Sequence, residues 1–320
     1  MSLLAYLYLP FLSLVHFSLL SSSLERQLRV TKPRFVHTSA TMAEPTFTFQ
    51  LVGSNDITPD MFKEAATLFS NNYGIWDPLA SKHMGAFAKS GELSTDLVRL
   101  PYSWLNLGNR VRMTAARLKE QCVPNEGETV YVRVMTGANS HVLAGNVFAT
   151  RWEYSPINED SPRRMCWITQ LVVDTKFRGQ KLATRLLEKL REGHEDRAFG
   201  ILSSHPHAIL ASLRAFGRGI EDVDLSMAQL HAHSIMQSSP ITYVQEAKLY
   251  GSLFPHSHVT SAPKDGAICT ANTNFWVDHK EPSEALDAVR ARGIYWPFGN
   301  LPDGHEYLVL VKARSKKERR

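Results

Sequence analysis

The stretch from Cys166 to Glu192 constrains the fold most, because it predicts a strand, a tight turn and a helix in succession. A short apolar run rich in β-branched residues, from Ile168 to Val173, is typical of a strand covered on both faces. From Leu182 onward, leucines recur at helical spacing and charged residues occupy the opposite side, which predicts an amphipathic helix. The stretch therefore indicates an α/β fold built around this unit.

A basic turn separates the predicted strand from the predicted helix, with the sequence Arg178-Gly179-Gln180-Lys181-Leu182-Ala183. A turn that leads into a helix offers several backbone N–H groups that have no partner within the helix. These groups lie at the positive end of the helix dipole, where an anion is stabilised. The turn therefore predicts a site that can hold a phosphate group.

This strand–turn–helix resembles the acyl-CoA-binding motif of the GNAT superfamily of N-acetyltransferases. The family pattern is Gln or Arg, any two residues, Gly, any one residue, then Gly or Ala. Here Arg178 takes the first position and Ala183 the last, while Lys181 stands in place of the middle glycine and keeps its backbone N–H. The resemblance implies that acetyl-CoA is a co-substrate and that it contacts Leu171, Val173, Arg178, Gly179, Gln180, Lys181, Leu182 and Ala183.

The resemblance also implies a fold, in which a central, mixed, mostly antiparallel sheet is flanked by helices. In that fold the strands before and after the CoA helix are parallel but splay apart at their carboxyl ends, and the pantetheine arm lies in the gap. Here those strands are expected to end at Val173 and at Ser203–Ser204. The last strand should insert antiparallel between its neighbours. The chain resembles uncharacterised fungal members of the family.

The order of predicted elements matches that fold and adds an insertion. Strands are predicted at 46–52, 129–135, 141–152, 168–173, 198–203, 268–277 and 306–311, and helices start at 59, 114, 182, 206, 225, 241 and 282. Residues 218–264 form the extra segment, with predicted helices at 225–237 and 241–253. The predicted organisation is a GNAT domain over 42–312, preceded by a targeting or non-native segment at 1–41 and followed by a basic tail at 313–320.

Two residues that the family often uses in catalysis are missing. The resemblance implies a Glu on the CoA strand as general base, but that strand has no acidic residue before Asp174. It also implies a Tyr as acid to the leaving thiolate, at a position that Leu213 occupies here. The chemistry is therefore carried elsewhere, or the protein binds CoA without transferring the acyl group.

Four titratable residues at the ends of the last strands are the candidates for the base. They are Glu306, His305, Asp278 and His279. Strand side chains alternate between the two faces, so only one of His305 and Glu306 can face the gap. Glu306 is preferred, since burial near an apolar cleft raises the pKa of a carboxyl towards neutrality. His305 needs no such shift.

Charge and cysteine content restrict the possible partners. The sequence pI is about 9.0, yet the net charge of +5 is concentrated at the ends: residues 312–320 carry +5 and residues 1–41 carry +3. The body therefore has a net charge of −3, so no nucleic-acid partner is expected. Three well-separated cysteines form no CxxC pair and indicate an intracellular protein with free thiols.

The first 24 residues carry no formal charge, and three interpretations of the N-terminal region remain open. Translation starting at Met42 predicts a cytoplasmic or nuclear protein. A presequence within residues 1–41, which contain arginine and serine but little acid, predicts a mitochondrial one. An apolar anchor predicts membrane contact only if residues 1–24 are retained.

Three His-x-His pairs, at 205/207, 231/233 and 256/258, lack a third ligand in sequence, so no metal site is expected. The predicted function is acetyl transfer from acetyl-CoA to a primary amine, which belongs to either a small molecule or a protein. The alternative is a catalytically inactive regulatory protein that binds acyl-CoA.

Overall fold

Eight strands form one open sheet in the computed structural model, which describes residues 46–85, 110–137, 142–157, 160–254 and 264–313. The strands are Phe47–Gly53 (β1), Glu128–Thr136 (β2), Val142–Tyr154 (β3), Arg163–Val173 (β4), Ala198–Ser203 (β5), Lys248–Tyr250 (β6), Thr270–Asn272 (β7) and His305–Lys312 (β8). Their order across the sheet is β1-β2-β3-β4-β5-β8-β7-β6. Of these neighbours, only β4 and β5 are parallel. The predicted fold class, a mixed and mostly antiparallel sheet flanked by helices, is confirmed.

Eight α-helices of the described ranges flank this sheet. They are Pro59–Asn72 (α1), Ala80–Met84 (α2), Ala115–Cys122 (α3), Leu182–Leu190 (α4), Pro206–Phe216 (α5), Ser226–Gln237 (α6), Thr242–Glu246 (α7) and Lys280–Ala291 (α8). The start of α1 follows from its sequence, because the Thr58 hydroxyl accepts a hydrogen bond from the Met61 N–H at 3.3 Å and Pro59 occupies the first turn. In α4, the regularly spaced leucines are buried.

The helices divide between the two faces of the sheet. On the first face, α1, α3 and α6 pack over β2 and β3; Phe62 stacks on Phe148, and the Trp152 indole N–H donates to the Ile235 carbonyl. On the second face, α4 and α5 cover the sheet, and Phe216 stacks on Phe199. Because both faces are covered, the central strands are mostly buried and apolar, with buried polar exceptions such as Asn146, Arg151 and Gln170.

β4 and β5 pair along only part of their length. Met165–Ile168 pairs with Ala198–Ile201, and beyond that point the two strands separate while β4 continues to Val173. The partner of β3 shifts from Gln170 to Ile168 at this level, so Thr169 is an extra, bulged residue. β8 pairs antiparallel with β5 and with β7, so the predicted insertion of the last strand is confirmed.

Two sequence predictions in the C-terminal half are wrong. The single helix predicted at 241–253 is a five-residue helix followed by β6. The strand predicted at 268–277 is only Thr270–Asn272, because Asn274 adopts a left-handed backbone with φ 53° and turns the chain away. Asp278 and His279 therefore do not end a strand; they precede α8.

Every described residue lies in a compact unit that begins at Pro45. The N-terminal segment and residues 86–109 and 314–320 lie outside the described residues. The predictions for the N-terminal segment and the basic tail therefore concern residues that the structure does not describe. Within the described ranges, no helix has the length and apolar character needed to cross a membrane.

Candidate active site

The gap between β4 and β5 is bordered by strand backbone that no neighbouring strand uses. From Gln170 to Val173, β4 has partners in β3 but none in β5, and the bulged Thr169 has a partner in neither strand. Beyond Ile201, β5 pairs with β8 only. An extended ligand lying along this edge of β4 can therefore form strand-like hydrogen bonds with it. Leu171 and Val173, both expected to contact the co-substrate, lie half-buried on this edge.

The turn after β4 has the geometry of an anion site. Gly179 has a φ of 80°, and Lys181, the residue before α4, is left-handed with φ 59° and ψ 18°. Within the described residues, no backbone acceptor takes the N–H groups of Gly179, Gln180, Lys181, Leu182 and Ala183. Lys181 therefore adopts the backbone that a glycine would, and its N–H remains available.

Arg178 has a different role from the one that the motif suggests. Its guanidinium donates to the Asn72 carbonyl at 2.6 Å and lies 2.7 Å from a carboxylate oxygen of Glu281 in α8. Its Nε also donates to the Val173 carbonyl at 3.4 Å. Arg178 therefore joins the end of α1, the end of β4 and the start of α8, rather than extending freely towards a ligand.

Glu306 lies on the first face of the sheet, at the level of the gap. Alternation along β8 places Tyr307 on the second face, where it packs against Trp296 and Phe298, so Glu306 faces the opposite way. Its side chain is buried, at 7% exposure, and no cation among the described residues pairs with it. Burial raises the pKa of Glu306 to about 7, and the nearby Thr273 hydroxyl offsets part of that rise.

Tyr243, from the inserted segment, brings a hydroxyl group to the same face. It donates a hydrogen bond to the carbonyl of the bulged residue Thr169 at 3.2 Å. Burial raises its pKa well above 10, and the Glu306 carboxylate adds to that rise, so the hydroxyl keeps its proton at neutral pH. Burial likewise raises the pKa of Tyr73, again with a contribution from Glu306. On this face, the buried Glu306 therefore lies near two half-buried tyrosine side chains, and the buried Asn146 and Gln170 amides share the face.

The other candidate bases lie away from this group. His305 is on the second face, where its ring lies 4.8 Å from that of Tyr250 and its Nδ1 lies 2.9 Å from the Asp303 carbonyl oxygen. The carboxylate of Asp278 accepts from the Lys280 N–H at 2.6 Å, at the start of α8. His279 is mostly buried, and burial lowers its pKa. The four candidates therefore do not form one cluster, and Glu306 alone has the orientation and burial described for the gap.

Sequence reasoning missed Tyr243, because it lies in a segment whose folding over the first face carries no local signal. Leu213, at the family's usual tyrosine position, is fully buried in the core. Among the described residues, no group of three metal-ligating side chains is arranged to hold a metal ion. His256 and His258 lie outside those residues.

No protein-family model and no curated protein sequence matches the chain. Among solved structures, it is similar to arylalkylamine N-acetyltransferase 2 from Aedes aegypti, with 11% identity, a TM-score of 0.32 and coverage of 52% of this chain and 80% of that chain. It is similar to the aminoglycoside acetyltransferase meta-AAC0020 from an uncultured soil metagenomic sample, with 12% identity, a TM-score of 0.31 and coverage of 56% and 92%. Arabidopsis thaliana NAA60 shows 15% identity, a TM-score of 0.27 and coverage of 53% and 82%. Likeness at these identities and scores does not assign an activity to this chain.

Proposed function

We propose that the protein is an N-acyltransferase that transfers an acetyl group from acetyl-CoA to a primary amine by direct attack. The observation that supports this proposal is Glu306, a buried carboxylate that has no cation among the described residues and lies at the end of the sheet where β4 and β5 separate. A carboxyl group with a pKa near neutrality can accept a proton from a substrate ammonium at physiological pH. The unmatched negative charge also favours a cationic amine over a neutral acceptor.

The donor would lie along the gap, with its pyrophosphate at the turn before α4. The free N–H groups from Gly179 to Ala183 are suited to phosphate oxygens. The edge of β4 beyond Ile168, which β5 does not pair with, is suited to the amide groups of the pantetheine arm. The backbone near Val173 would hold the thioester oxygen.

Proton transfer in this scheme involves two side chains. Glu306 accepts a proton from the substrate ammonium, which frees the nitrogen lone pair to form the amide bond as the carbon–sulfur bond breaks. Tyr243, whose hydroxyl lies 3.2 Å from the Thr169 carbonyl on this edge, donates its proton to the departing thiolate. The second proton lost by the nitrogen restores the Tyr243 hydroxyl, and Glu306 releases the first to solvent.

The second candidate is a regulatory protein that binds acyl-CoA and transfers nothing. Two observations favour it: β4 carries no acidic residue, and Leu213 is buried in the core instead of offering a hydroxyl group. Both candidates use the same donor site, so donor binding alone does not separate them.

The test is release of free CoA from acetyl-CoA with a panel of amines that includes small amines and peptide amino groups. Binding should first appear as a thermal shift: ligand at a hundredfold excess over Kd stabilises by about 2.7 kcal/mol. Amine-dependent thiol release supports the transferase, whereas binding without release across the panel supports the regulator. No binding of acetyl-CoA at millimolar concentration contradicts both.

Tyr243→Phe tests the assignment of the proton donor. The variant should lose about tenfold to a hundredfold in kcat with little change in KM, because the hydroxyl acts only as the thiolate forms. Tyr307→Phe is the matched control, since its buried hydroxyl lies on the second face and donates to the Gly299 carbonyl. Equal kcat values for the two variants would remove Tyr243 from the mechanism.

A further inference from the structure

A single carboxylate links the two strand ends at the mouth of the gap. One carboxylate oxygen of Glu281 lies 2.7 Å from Nη1 of Arg178 and 3.8 Å from Nε2 of His205. Arg178 belongs to the turn that follows β4, and His205 follows β5 by two residues. Glu281 lies in the first turn of α8, so this helix contacts the ends of both β4 and β5 at the point where the two strands separate.

The Arg178 guanidinium and the His205 imidazole are both oriented by contacts that do not involve Glu281. Arg178 is oriented by the Asn72 and Val173 carbonyls. His205 caps α5 by accepting a hydrogen bond from the His207 N–H at its Nδ1, over 3.2 Å. Because Nδ1 is an acceptor, Nε2 carries the proton in the neutral ring and points its donor at Glu281. Removing Glu281 therefore leaves two oriented donors.

The surroundings of this carboxylate are predominantly basic. The His205 imidazole, which has the largest influence, and the hydrogen bond from Arg178 hold the pKa of Glu281 at about 2 against the opposing effect of burial. Burial lowers the pKa of the adjacent His207, as do the charges of His205, Arg292 and Arg178. Glu281 is thus an acidic side chain in surroundings that are otherwise basic, formed by Arg178, His205, His207 and Arg292.

We propose that Arg178 and His205 form an anion clamp across the mouth of the gap, which Glu281 occupies in this structure and which a phosphate group of the acyl donor takes over. The proposal rests on the proposed function, because it requires a donor that carries phosphate. A guanidinium and an imidazole donor suit phosphate at least as well as carboxylate, and phosphate brings more charge and more acceptor atoms.

The clamp has a specific consequence for donor binding. Glu281 is 57% exposed and Arg178 is 37% exposed, so an anion can reach the clamp from solvent. Every donor molecule must displace Glu281 before its phosphate gains both contacts. Glu281 therefore weakens donor affinity, and its release frees the start of α8 from the turn.

The decisive variant is Glu281→Gln, with Glu284→Gln as its matched control. Glu284 is exposed in the next turn of α8, so the control removes the same charge from the same helix without touching the clamp. Calorimetry with CoA, and separately with inorganic pyrophosphate, should show binding about three- to fivefold tighter for Glu281→Gln, in line with the strength of an exposed ion pair. Glu284→Gln should bind as the wild type does.

A second variant keeps the test specific to the clamp. His205→Asn retains an oxygen that can cap α5 but loses Nε2. In this background Glu281→Gln should give a smaller gain, because one of the two competing contacts is already absent. A full gain in both backgrounds would show that only overall charge matters and would overturn the clamp.

The outcomes separate this inference from the proposed function. Wild-type binding of CoA with unchanged or weaker binding by Glu281→Gln overturns the clamp and leaves the function standing. Failure of the wild type to bind CoA overturns both. Tighter binding by Glu281→Gln, with Glu284→Gln unchanged and the gain reduced in His205→Asn, establishes the clamp.

Discussion

The two ends of the β4–β5 pair bury charge in opposite ways. At the paired end, below Ile168, the Arg151 guanidinium lies 3.0 Å from Asp196, and the two side chains are 1% and 0% exposed. Arg151 also donates to the Leu190 carbonyl, and Arg164 gives Asp196 a second, longer contact of 3.4 Å. At the splayed end, Glu306 is nearly as buried but has no cation among the described residues.

This difference distinguishes a structural charge from a functional one. A buried ion pair such as Arg151–Asp196 holds elements together, and breaking it leaves an uncompensated charge. A buried carboxylate without a partner costs stability and is retained where a ligand supplies the missing charge. The paired end therefore has the features of a structural support, and the splayed end holds the site proposed above.

Packing supports the same comparison. At the paired end the Trp167 ring lies directly against Gly200, and any side chain at that position would overlap the ring. At the splayed end β4 bulges at Thr169, and the side chains near the gap include hydroxyl groups as well as a carboxylate. The paired end is thus densely packed, while the bulge redirects the backbone at the gap.

The largest expected effect is on activity at the splayed end. Glu306→Gln keeps the shape of the side chain and removes the base, so kcat should fall by about 10²- to 10⁴-fold. Donor affinity should be retained, because the phosphate-binding turn is unaffected. His305→Gln, which changes the neighbouring residue on the second face, is the control. Similar losses in the two variants would break the distinction between the two faces.

At the paired end, the expected effect is on stability. Asp196→Asn leaves the Arg151 charge buried without its counter-ion, so the free energy of unfolding should fall by about 3–5 kcal/mol. Urea denaturation measures the loss, and Asp222→Asn on the surface provides the control. A loss of less than about 1 kcal/mol would show that this pair is not structural.

At the splayed end the ionised carboxylate lowers stability, whereas the Asp196 carboxylate at the paired end raises it. The pKa of Glu306 is raised from 4.5 to about 7, so the folded protein binds this proton more tightly than the unfolded chain does. The stability it contributes is fully present below pH 4.5 and is lost as pH rises through 7. Glu306→Gln should therefore exceed the wild type at pH 8 by on the order of 3 kcal/mol more than at pH 4. Equal differences at the two pH values would contradict a raised pKa.

The smallest expected effect concerns the turn between the two regions. Lys181 is left-handed without being a glycine, so Lys181→Gly should raise the free energy of unfolding by about 1 kcal/mol. The backbone N–H is preserved, and donor affinity should stay within about twofold. A large loss of affinity would mean that the Lys181 side chain, rather than the backbone, holds the donor.

Much of this architecture could be predicted from local patterns. The apolar run at Ile168–Val173 and the leucine spacing from Leu182 fall within β4 and α4. The alternation of side chains along a strand was enough to predict that Glu306 and His305 face opposite sides of the sheet. Periodicity and alternation depend on residues that are close together in the sequence, so they can be recognised from one sequence alone.

The errors arose where turn chemistry or distant packing decides the structure. The predicted strand at 268–277 ran through Asn272-Thr273-Asn274, a turn-forming sequence whose left-handed Asn274 ends the strand. The position of Tyr243 depends on α7 folding over the first face, far from its neighbours in sequence. The partners of Arg178 lie at Asn72 and Glu281, about a hundred residues away on either side, so no local motif indicates them.

The most direct test of this comparison is the pKa of the Glu306 carboxyl group. It can be measured by ¹³C NMR of protein labelled at the glutamate carboxyl carbons, with the Glu306→Gln variant identifying its signal. A titration midpoint near pH 7 is the result expected for a buried carboxylate without a cation. A midpoint near the ordinary value of 4.5 would contradict the uncompensated charge on which the proposed site depends.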